Sequence, residues 1–204
     1  YKRQFQYQPT LLTQLPITIP GIYSLGGGRQ VGKTTLLKQW MLQLLQKKVL
    51  PQAITFITGE MIRDHQELLN VINASLNGMR QDNNPAKVFY LLIDEITYIK
   101  DWEKTIKFAA DAGLFDDVVV MLTGSDLVMM QAARMTFPGR RGRASQTDFH
   151  LYPLSFRECI RLTETLPKKL LSDEVLLTYQ PTEKDLTLLM DAFKKYLIHG
   201  GYLT

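Results

Sequence analysis

The sequence predicts an α/β protein in which a parallel sheet of five strands is flanked by helices, with a small helical segment at the carboxyl end. Short apolar runs alternate with stretches of helical periodicity, which is the pattern of a parallel sheet covered by helices. The first apolar run opens into a glycine-rich turn, and a later one closes on two adjacent carboxylates. Because ligands bind where parallel strands end, we expect the functional site at the carboxyl edge of the sheet.

The first half of the chain carries two predicted strand–helix pairs. An apolar run predicts a strand at Ile22–Leu25, and apolar residues on one helix face predict a helix from Thr34 onward. A stretch rich in β-branched residues predicts a second strand at Ala53–Thr58. The helix after it is predicted to end at Gly78.

The middle of the chain carries the predicted centre of the sheet. Val88–Ile93 is an almost unbroken apolar run, as expected for a strand covered on both faces. Asp101 is predicted to cap the next helix. Val118–Leu122 is a fourth apolar strand, and residues 149–152 form a short fifth one.

The carboxyl-terminal segment is predicted to be helical. A boundary near Pro153 separates an α/β domain, residues 1–152, from a helical segment, residues 153–204. Two of its helices begin with the spacing of a capping box, in which two side chains bond each other's backbone amides. The two pairs are Ser155 with Glu158, and Thr182 with Asp185.

Composition excludes several function classes. The chain has 204 residues, 45% hydrophobic and 22% charged, which is typical of a globular protein. No apolar run approaches the about 20 residues that span a bilayer, so no membrane partner is expected. Cys159 is the single cysteine, which favours a reducing, cytoplasmic location. A net charge of +4 permits contact with nucleic acid without arguing for it.

The most specific motif is the glycine-rich turn GGRQVGKT, Gly27–Thr34, between a predicted strand and a predicted helix. It satisfies the P-loop pattern, in which glycines let the backbone wrap around phosphates and helix-terminal amides point at them. We expect the Lys33 ammonium at the β- and γ-phosphates, the Thr34 hydroxyl on Mg²⁺, and Thr35 at the α-phosphate. The predicted nucleotide-binding residues are Gly27, Gly28, Arg29, Gln30, Val31, Gly32, Lys33, Thr34 and Thr35.

The adjacent carboxylates Asp94 and Glu95 form the second constellation. They follow the apolar strand of LLIDE, and consecutive residues point differently at a strand end. Asp94 is predicted to join Thr34 in holding Mg²⁺, while Glu95 orients and deprotonates the attacking water. Phosphoryl transfer to water requires this division of labour.

Two further candidates each leave two interpretations open. Ser125 ends the fourth strand, where its hydroxyl would reach the γ-phosphate or the water, or would cap the following segment. The loop after it carries Arg134, Arg140, Arg141 and Arg143. Arg140 or a neighbour is either a finger that neutralises charge on the phosphate, or part of a basic surface that contacts solvent or nucleic acid.

Five motifs in one order resemble the prokaryotic AAA-type ATPases. They are GGRQVGKTTLL (27–37), DEITYIKDWE (94–103), LTGS (122–125), PGRR (138–141) and LYPLSFRE (151–158). The resemblance implies an ASCE-type sheet in which the LTGS strand lies between the P-loop strand and the acidic strand. It implies ATP as the nucleotide, Ser125 at the sensing position and Arg140 as the arginine of the GR pair.

The resemblance also implies what surrounds the domain. Residues 153–204 would begin a lid or a winged-helix region, which family members follow with a domain resembling restriction nucleases. The expected activity is Mg²⁺-dependent ATP binding and hydrolysis coupled to conformational change, with ATP and ADP as ligands. A homo-oligomer stays an open alternative, because the arginine finger would act in its own subunit or in a partner's. The alternatives are a nucleotide-gated switch with little turnover and a nucleic-acid-associated ATPase.

Overall fold

The computed structural model describes residues 7–81, 84–125, 130, 144–163 and 182–202. Gln8–Leu151 forms one compact unit, and Tyr7 joins the described residues after Leu151 in a second one. The assignment of residues 1–152 and 153–204 to separate domains stays a prediction.

Within the described part of the chain, no helix has both the length and the apolar character that crossing a bilayer requires.

The larger unit is built on a parallel sheet of five strands in the order β2-β3-β4-β1-β5. The strands are β1 Gly21–Gly26, β2 Ile54–Thr58, β3 Phe89–Asp94, β4 Val118–Gly124 and β5 Asp148–His150. The LTGS strand, β4, lies between the P-loop strand β1 and the acidic strand β3, so the order that the family resemblance implies is confirmed. The predicted α/β fold class is confirmed as well.

Helices cover both faces of this sheet. They are α1 Lys33–Gln46, α2 His65–Met79 and α3 Trp102–Asp111. Because successive side chains of a strand point to opposite faces, the buried strands divide their residues between two apolar layers. Trp102 lies in the layer shared with α2 and α3, and Trp40 lies in the layer shared with α1. This double covering explains why β1, β3 and β4 are buried along their whole length.

Several predicted boundaries differ from the structure. Ala53 belongs to a 3₁₀ turn, and β2 begins one residue later. Gly78 lies inside α2, which continues to Met79. The Met79 side chain packs into the core, and this favours the extra helical residue. The fifth strand is Asp148–His150 rather than 149–152, since only these residues pair with β1.

Asp101 does not cap α3 as predicted. It occupies the position before the helix, but its backbone is left-handed, with φ 57°, and its side chain makes no capping hydrogen bond. Its carboxylate instead lies 3.1 Å from the Lys104 ammonium. The capping geometry requires an extended backbone at this position, which the tight turn after the acidic pair does not allow.

The second unit contains α4 Phe156–Thr163 and α5 Glu183–His199. Both predicted capping boxes are present. The Ser155 amide donates to Glu158 Oε2 at 2.7 Å, and the Thr182 amide donates to Asp185 Oδ2 at 3.1 Å. The two helices pack through the rings of Phe156, Phe193 and Tyr196. Tyr7 donates its hydroxyl proton to Glu158, which ties the amino-terminal segment to this unit.

Candidate active site

The turn Gly27–Thr34 joins β1 to α1 and wraps the start of that helix. Gly32 precedes α1 with φ 99°, a left-handed conformation that side chains disfavour. A Cβ on Gly27 would lie 2.6 Å from the carbonyl oxygen of Leu151, so a side chain would displace the neighbouring backbone. No side chain caps α1. The first amides of the helix therefore point toward the space that the turn encloses, as in an anion-binding site.

Lys33 is only 4% exposed and contacts four groups of the site. Its ammonium donates to the carbonyl oxygens of Gly27 at 3.1 Å and Gly28 at 3.0 Å. It also donates to Ser125 Oγ at 2.8 Å and lies 3.3 Å from Glu95 Oε1. A buried ammonium needs such partners, because desolvation without them is costly. The lysine thereby connects the loop after β1 to the ends of β3 and β4.

Asp94 is the last residue of β3 and is 4% exposed. Each of its carboxylate oxygens accepts a hydrogen bond from a threonine. Thr34 donates to Oδ2 at 2.6 Å, and Thr123 donates to Oδ1 at 2.6 Å. The two residues predicted to hold Mg²⁺, Thr34 and Asp94, are therefore in direct contact, and their role toward the metal stays a prediction.

Glu95 follows directly but has a left-handed backbone, with φ 51° and ψ 46°. This turn directs its side chain away from that of Asp94 and toward β4. Both of its carboxylate oxygens are within hydrogen-bond distance of the Ser125 hydroxyl, at 2.8 and 2.9 Å. Its backbone amide donates to Thr123 Oγ1 at 2.9 Å. The end of β2 also approaches closely, since a Cβ on Gly59 would lie 2.5 Å from the carbonyl oxygen of Glu95.

The structure thus brings together five of the predicted site residues: Lys33, Thr34, Asp94, Glu95 and Ser125. The other loop residues form its outer part, where Arg29, Gln30 and Thr35 are exposed and Val31 is half-buried. The Ser125 hydroxyl faces Lys33 and Glu95. The segment that it was predicted to cap, apart from Met130, and the four arginines, Arg140 included, lie outside the described residues.

Two residues that contact the acidic pair were not predicted to belong to the site. Thr123 is buried on β4, and Gly59 follows β2. Leu122 pairs with Ile93, so the next residues along the two strands, Thr123 and Asp94, lie side by side. A hydroxyl that ends an otherwise apolar strand is a usable signal once the strand order is known. Gly59 carries no signal of its own, because its role depends on a backbone contact between two strands.

The oxygen donors at the edge of the sheet suit Mg²⁺. The Thr34 hydroxyl and the Asp94 carboxylate lie 2.6 Å apart, and Mg²⁺ prefers oxygen ligands. Within the described ranges no group of three or more His, Cys, Asp or Glu side chains is arranged to hold a metal. A site of this kind fits Mg²⁺, which is usually held by one or two protein groups together with substrate phosphates and water.

Comparison with known sequences places the site in a family. An AAA domain family matches residues 20–160 of the chain. An uncharacterized protein of Haemophilus influenzae is 24% identical over 161 residues, which cover 76% of this chain and 37% of that protein. An uncharacterized protein of Methanocaldococcus jannaschii is 27% identical over 152 residues, which cover 74% of this chain and 30% of that protein. The chain therefore spans well under half the length of these relatives.

Comparison with solved structures shows the fold. Cdc6p from Pyrobaculum aerophilum superimposes with a TM-score of 0.55 at 15% identity, over 98% of this chain and 65% of Cdc6p. The Walker-type ATPase of Pyrococcus abyssi gives a TM-score of 0.45 at 14% identity, over 88% of this chain and 63% of that one. At 15% identity the likeness to Cdc6p is one of fold alone.

Proposed function

This chain belongs to the AAA domain family that its residues 20–160 match, and from that premise we propose that it binds ATP and hydrolyses it with Mg²⁺, coupling the nucleotide state to a change of shape. One observation carries the proposal. Lys33, Ser125 and the Glu95 carboxylate form one set of contacts, and Thr34, Asp94 and Thr123 form another. The two sets meet where the Glu95 amide donates to Thr123 Oγ1. These are the groups that phosphoryl transfer to water requires, and they lie at one edge of the sheet.

Nucleotide binding uses the loop and the start of α1. The uncapped amides of the helix receive the phosphates, and the positive end of the helix dipole favours their charge. Lys33 exchanges its contacts with the Gly27 and Gly28 carbonyl oxygens for phosphate oxygens, which carry more negative charge. Thr35, exposed at the start of α1, contacts the α-phosphate.

The metal position lies between α1 and β3. The Thr34 hydroxyl and the Asp94 carboxylate, 2.6 Å apart, would hold Mg²⁺ there. When bound, Mg²⁺ supplies positive charge that stabilises the phosphate oxygens as the transferred group leaves. Thr123 keeps one oxygen of Asp94 occupied, so the carboxylate presents its other oxygen toward Thr34.

Glu95 acts on the attacking water. Its carboxylate accepts the proton of the water as the oxygen bonds to the γ-phosphorus and the bond to ADP breaks. Ser125 holds the carboxylate through its hydroxyl and lies between Glu95 and Lys33. As Lys33 turns to the phosphates, its 3.3 Å ion pair with Glu95 weakens, and the carboxylate becomes available as a base.

The same ion pair favours a second candidate function, a nucleotide-gated switch with little turnover. The Glu95 carboxylate lies 3.3 Å from the buried Lys33 ammonium, so it is not free to face an attacking water until the pair separates. If bound ATP leaves the pair in place, the domain holds ATP without cleaving it. Such a domain signals through its occupancy rather than through repeated turnover.

The test measures ATP binding and Mg²⁺-dependent phosphate release by the wild type, Lys33→Ala and Glu95→Gln. We expect Lys33→Ala to abolish binding. We expect Glu95→Gln to bind ATP normally and to lose roughly 10²–10⁴-fold in turnover, since it lacks the base. Lys38→Ala is the matched control, because Lys38 is exposed on the same helix and should change neither quantity.

Each outcome separates the candidates. Binding without turnover in the wild type favours the switch, and binding that survives Lys33→Ala contradicts both candidates. Saturation at 100 times Kd should stabilise the wild type by about 2.7 kcal/mol, visible as a higher Tm. The Lys33→Ala variant should show no such shift.

The remaining expectations are proposals about the whole protein. A lid within residues 153–204 is proposed from the family resemblance, and a cytoplasmic location from the single cysteine. A homo-oligomer is proposed only as the assembly in which a partner subunit would supply the arginine finger. A nucleic-acid-associated function depends on the arginine loop. It predicts DNA binding that weakens steeply with salt and is lost in the Arg140→Ala, Arg141→Ala double variant.

A further inference from the structure

We propose that Thr123 is a positioning residue that fixes the orientation of the Asp94 carboxylate and the backbone conformation of Glu95. Metal binding and water activation would then both depend on one buried hydroxyl. The inference rests on the proposed function. Its basis is the position of Thr123 Oγ1, 2.6 Å from Asp94 Oδ1 and 2.9 Å from the Glu95 backbone nitrogen.

The direction of these two hydrogen bonds follows from their chemistry. A backbone amide can only donate, so the Glu95 N–H fills a lone pair of the hydroxyl. A threonine hydroxyl has one proton to donate. An ionised carboxylate has acceptor atoms and no donor, so the proton goes to Asp94. The hydroxyl therefore donates to Asp94 while it accepts from Glu95. No aliphatic side chain reproduces either contact.

The two hydrogen bonds of the Thr123 hydroxyl, to Asp94 and from the Glu95 amide, form a bridge that burial makes hard to replace. Thr123 is 0% exposed, paired in register with Leu25 of β1 on one side and next to β3 on the other. Without the hydroxyl, the Glu95 amide loses the acceptor it now has and Asp94 Oδ1 loses the donor it now has. Leaving buried polar groups unsatisfied is costly, so the turn after β3 would relax toward other conformations.

The bridge acts on the two carboxylates in different ways. It orients Asp94 through the side chain, and it holds the left-handed backbone of Glu95 through the amide. Ser125 touches only the Glu95 carboxylate among the acidic pair. Loss of the Thr123 hydroxyl should therefore weaken metal-dependent binding and turnover together, whereas loss of the Ser125 hydroxyl should mainly slow turnover.

The experiment compares Thr123→Val, which has the same shape without the hydroxyl, with Thr123→Ser, which keeps the hydroxyl. Thr105→Val is the matched control, because Thr105 is also buried and donates its hydroxyl proton to a backbone carbonyl, that of His65, away from the site. Calorimetry measures ADP affinity with Mg²⁺ and with EDTA, and phosphate release is measured against Mg²⁺ concentration.

We expect Thr123→Val to lose about 10–100-fold of the Mg²⁺-dependent gain in ADP affinity, as is typical when a group behind a metal ligand is removed. Affinity in EDTA should stay at the wild-type value, because the phosphate loop is intact. The rate of ATP turnover should fall together with the Mg²⁺-dependent gain in ADP affinity. Thr123→Ser and Thr105→Val should both keep the wild-type Mg²⁺ dependence.

A second measurement does not require activity. Hydrogen exchange at the Glu95 amide should be slow in the wild type and in Thr123→Ser, and faster in Thr123→Val. If Thr123→Val does not fold, Thr123→Ala at lower temperature replaces it with the same expectations.

Three results are distinguishable. A wild type that binds no nucleotide contradicts the proposed function itself. A wild type that binds Mg²⁺ and ADP, with Thr123→Val unchanged in metal dependence and exchange, overturns this inference alone. A Thr123→Ser variant as impaired as Thr123→Val also overturns it, because the hydroxyl would then not be the group that matters.

Discussion

Single atoms decide which substitutions the site accepts. Lys33 and Asp94 are almost fully buried. The Lys33 ammonium and both carboxylate oxygens of Asp94 have hydrogen-bond partners within the site. Changing one partner therefore leaves another group unsatisfied rather than free in water. Removing a single polar group next to Asp94 or Glu95 should therefore change the function of the site measurably.

Gly59 provides a test at this scale. In Gly59→Ala the new Cβ would lie 2.5 Å from the carbonyl oxygen of Glu95, a backbone atom that cannot turn aside as a flexible side chain would. We expect the variant to lose about 1–3 kcal/mol of unfolding free energy, as is typical of overpacking. We also expect slower ATP hydrolysis, because Glu95 must move. Urea unfolding and phosphate release measure the two effects.

Gly78 is the matched control for that change. It is exposed within α2, and a Cβ there meets nothing within 4 Å. Gly78→Ala should therefore raise the unfolding free energy by roughly 0.5–1 kcal/mol and leave hydrolysis unchanged. Equal effects from the two substitutions would mean that the Gly59 contact with Glu95 does not constrain the site.

At the scale of elements, the helices begin in different ways. The side chain of Asp64 caps α2, and a full capping box begins α5. By contrast, α1 begins at a left-handed glycine with no side-chain cap. Since α3 also begins at a left-handed residue without a side-chain cap, the missing cap alone does not distinguish α1. What distinguishes α1 is the glycine-rich turn before it, whose backbone and first helix amides suit an external anion.

The start of α2 predicts a pH-dependent stability. Asp64 accepts hydrogen bonds from the Glu67 and Gln66 amides, and chiefly the Glu67 bond holds the pKa of this carboxyl below its ordinary value of 3.8. Because the folded-state pKa is the lower one, the ionised form stabilises the helix above the ordinary pKa. That contribution is lost as pH falls through the folded-state value.

We therefore expect Asp64→Ala to have a lower Tm than the wild type at neutral pH, with the difference shrinking at the acidic end. Asp64→Asn is the control, since its amide oxygen still accepts from the helix amides but does not titrate. Its Tm should lie near that of the wild type at acidic pH and fall behind it at neutral pH. A difference between wild type and Asp64→Ala that is constant from neutral pH to pH 3 would contradict this account.

At the scale of the whole molecule, one sheet divides the larger unit into two apolar layers. Trp40 lies in the layer under α1, where its ring meets the edge of Tyr90, and Trp102 lies in the layer under α2 and α3. Both are almost completely buried. Because every inner strand contributes side chains to both layers, neither layer can unfold while the other keeps its packing.

The two tryptophans test this directly. Trp40→Phe leaves fluorescence from one layer and Trp102→Phe leaves it from the other. We expect both variants to lose about 1–3 kcal/mol of unfolding free energy, since each loses buried contacts. Their urea midpoints should therefore be lower than that of the wild type. Their slopes against urea should be equal, because both report unfolding of the same unit and the slope follows the surface exposed. A markedly smaller slope in one variant would show that its layer opens separately.

The sequence alone was enough to predict the strand and helix positions of the larger unit to within a few residues. It also predicted Lys33, Thr34, Asp94, Glu95 and Ser125 as one site. The strand and helix predictions are confirmed because apolar periodicity is a local property of the sequence. The five residues lie together because parallel strands end at one edge of the sheet, and their roles stay predictions. Asp101 was predicted wrongly as a cap, since its left-handed backbone depends on a turn that the sequence does not specify.

Only the tertiary structure decided which atoms of the site touch. Lys33 and Ser125 are 92 residues apart, and Thr123 lies 29 residues from Asp94, so no local pattern joins them. The Lys33–Glu95 ion pair, the Thr123 bridge and the Gly59 contact all arise where separate strands converge. Local sequence determines the strands themselves, whereas long-range packing fixes their order and register and thereby the distances between side chains at their ends.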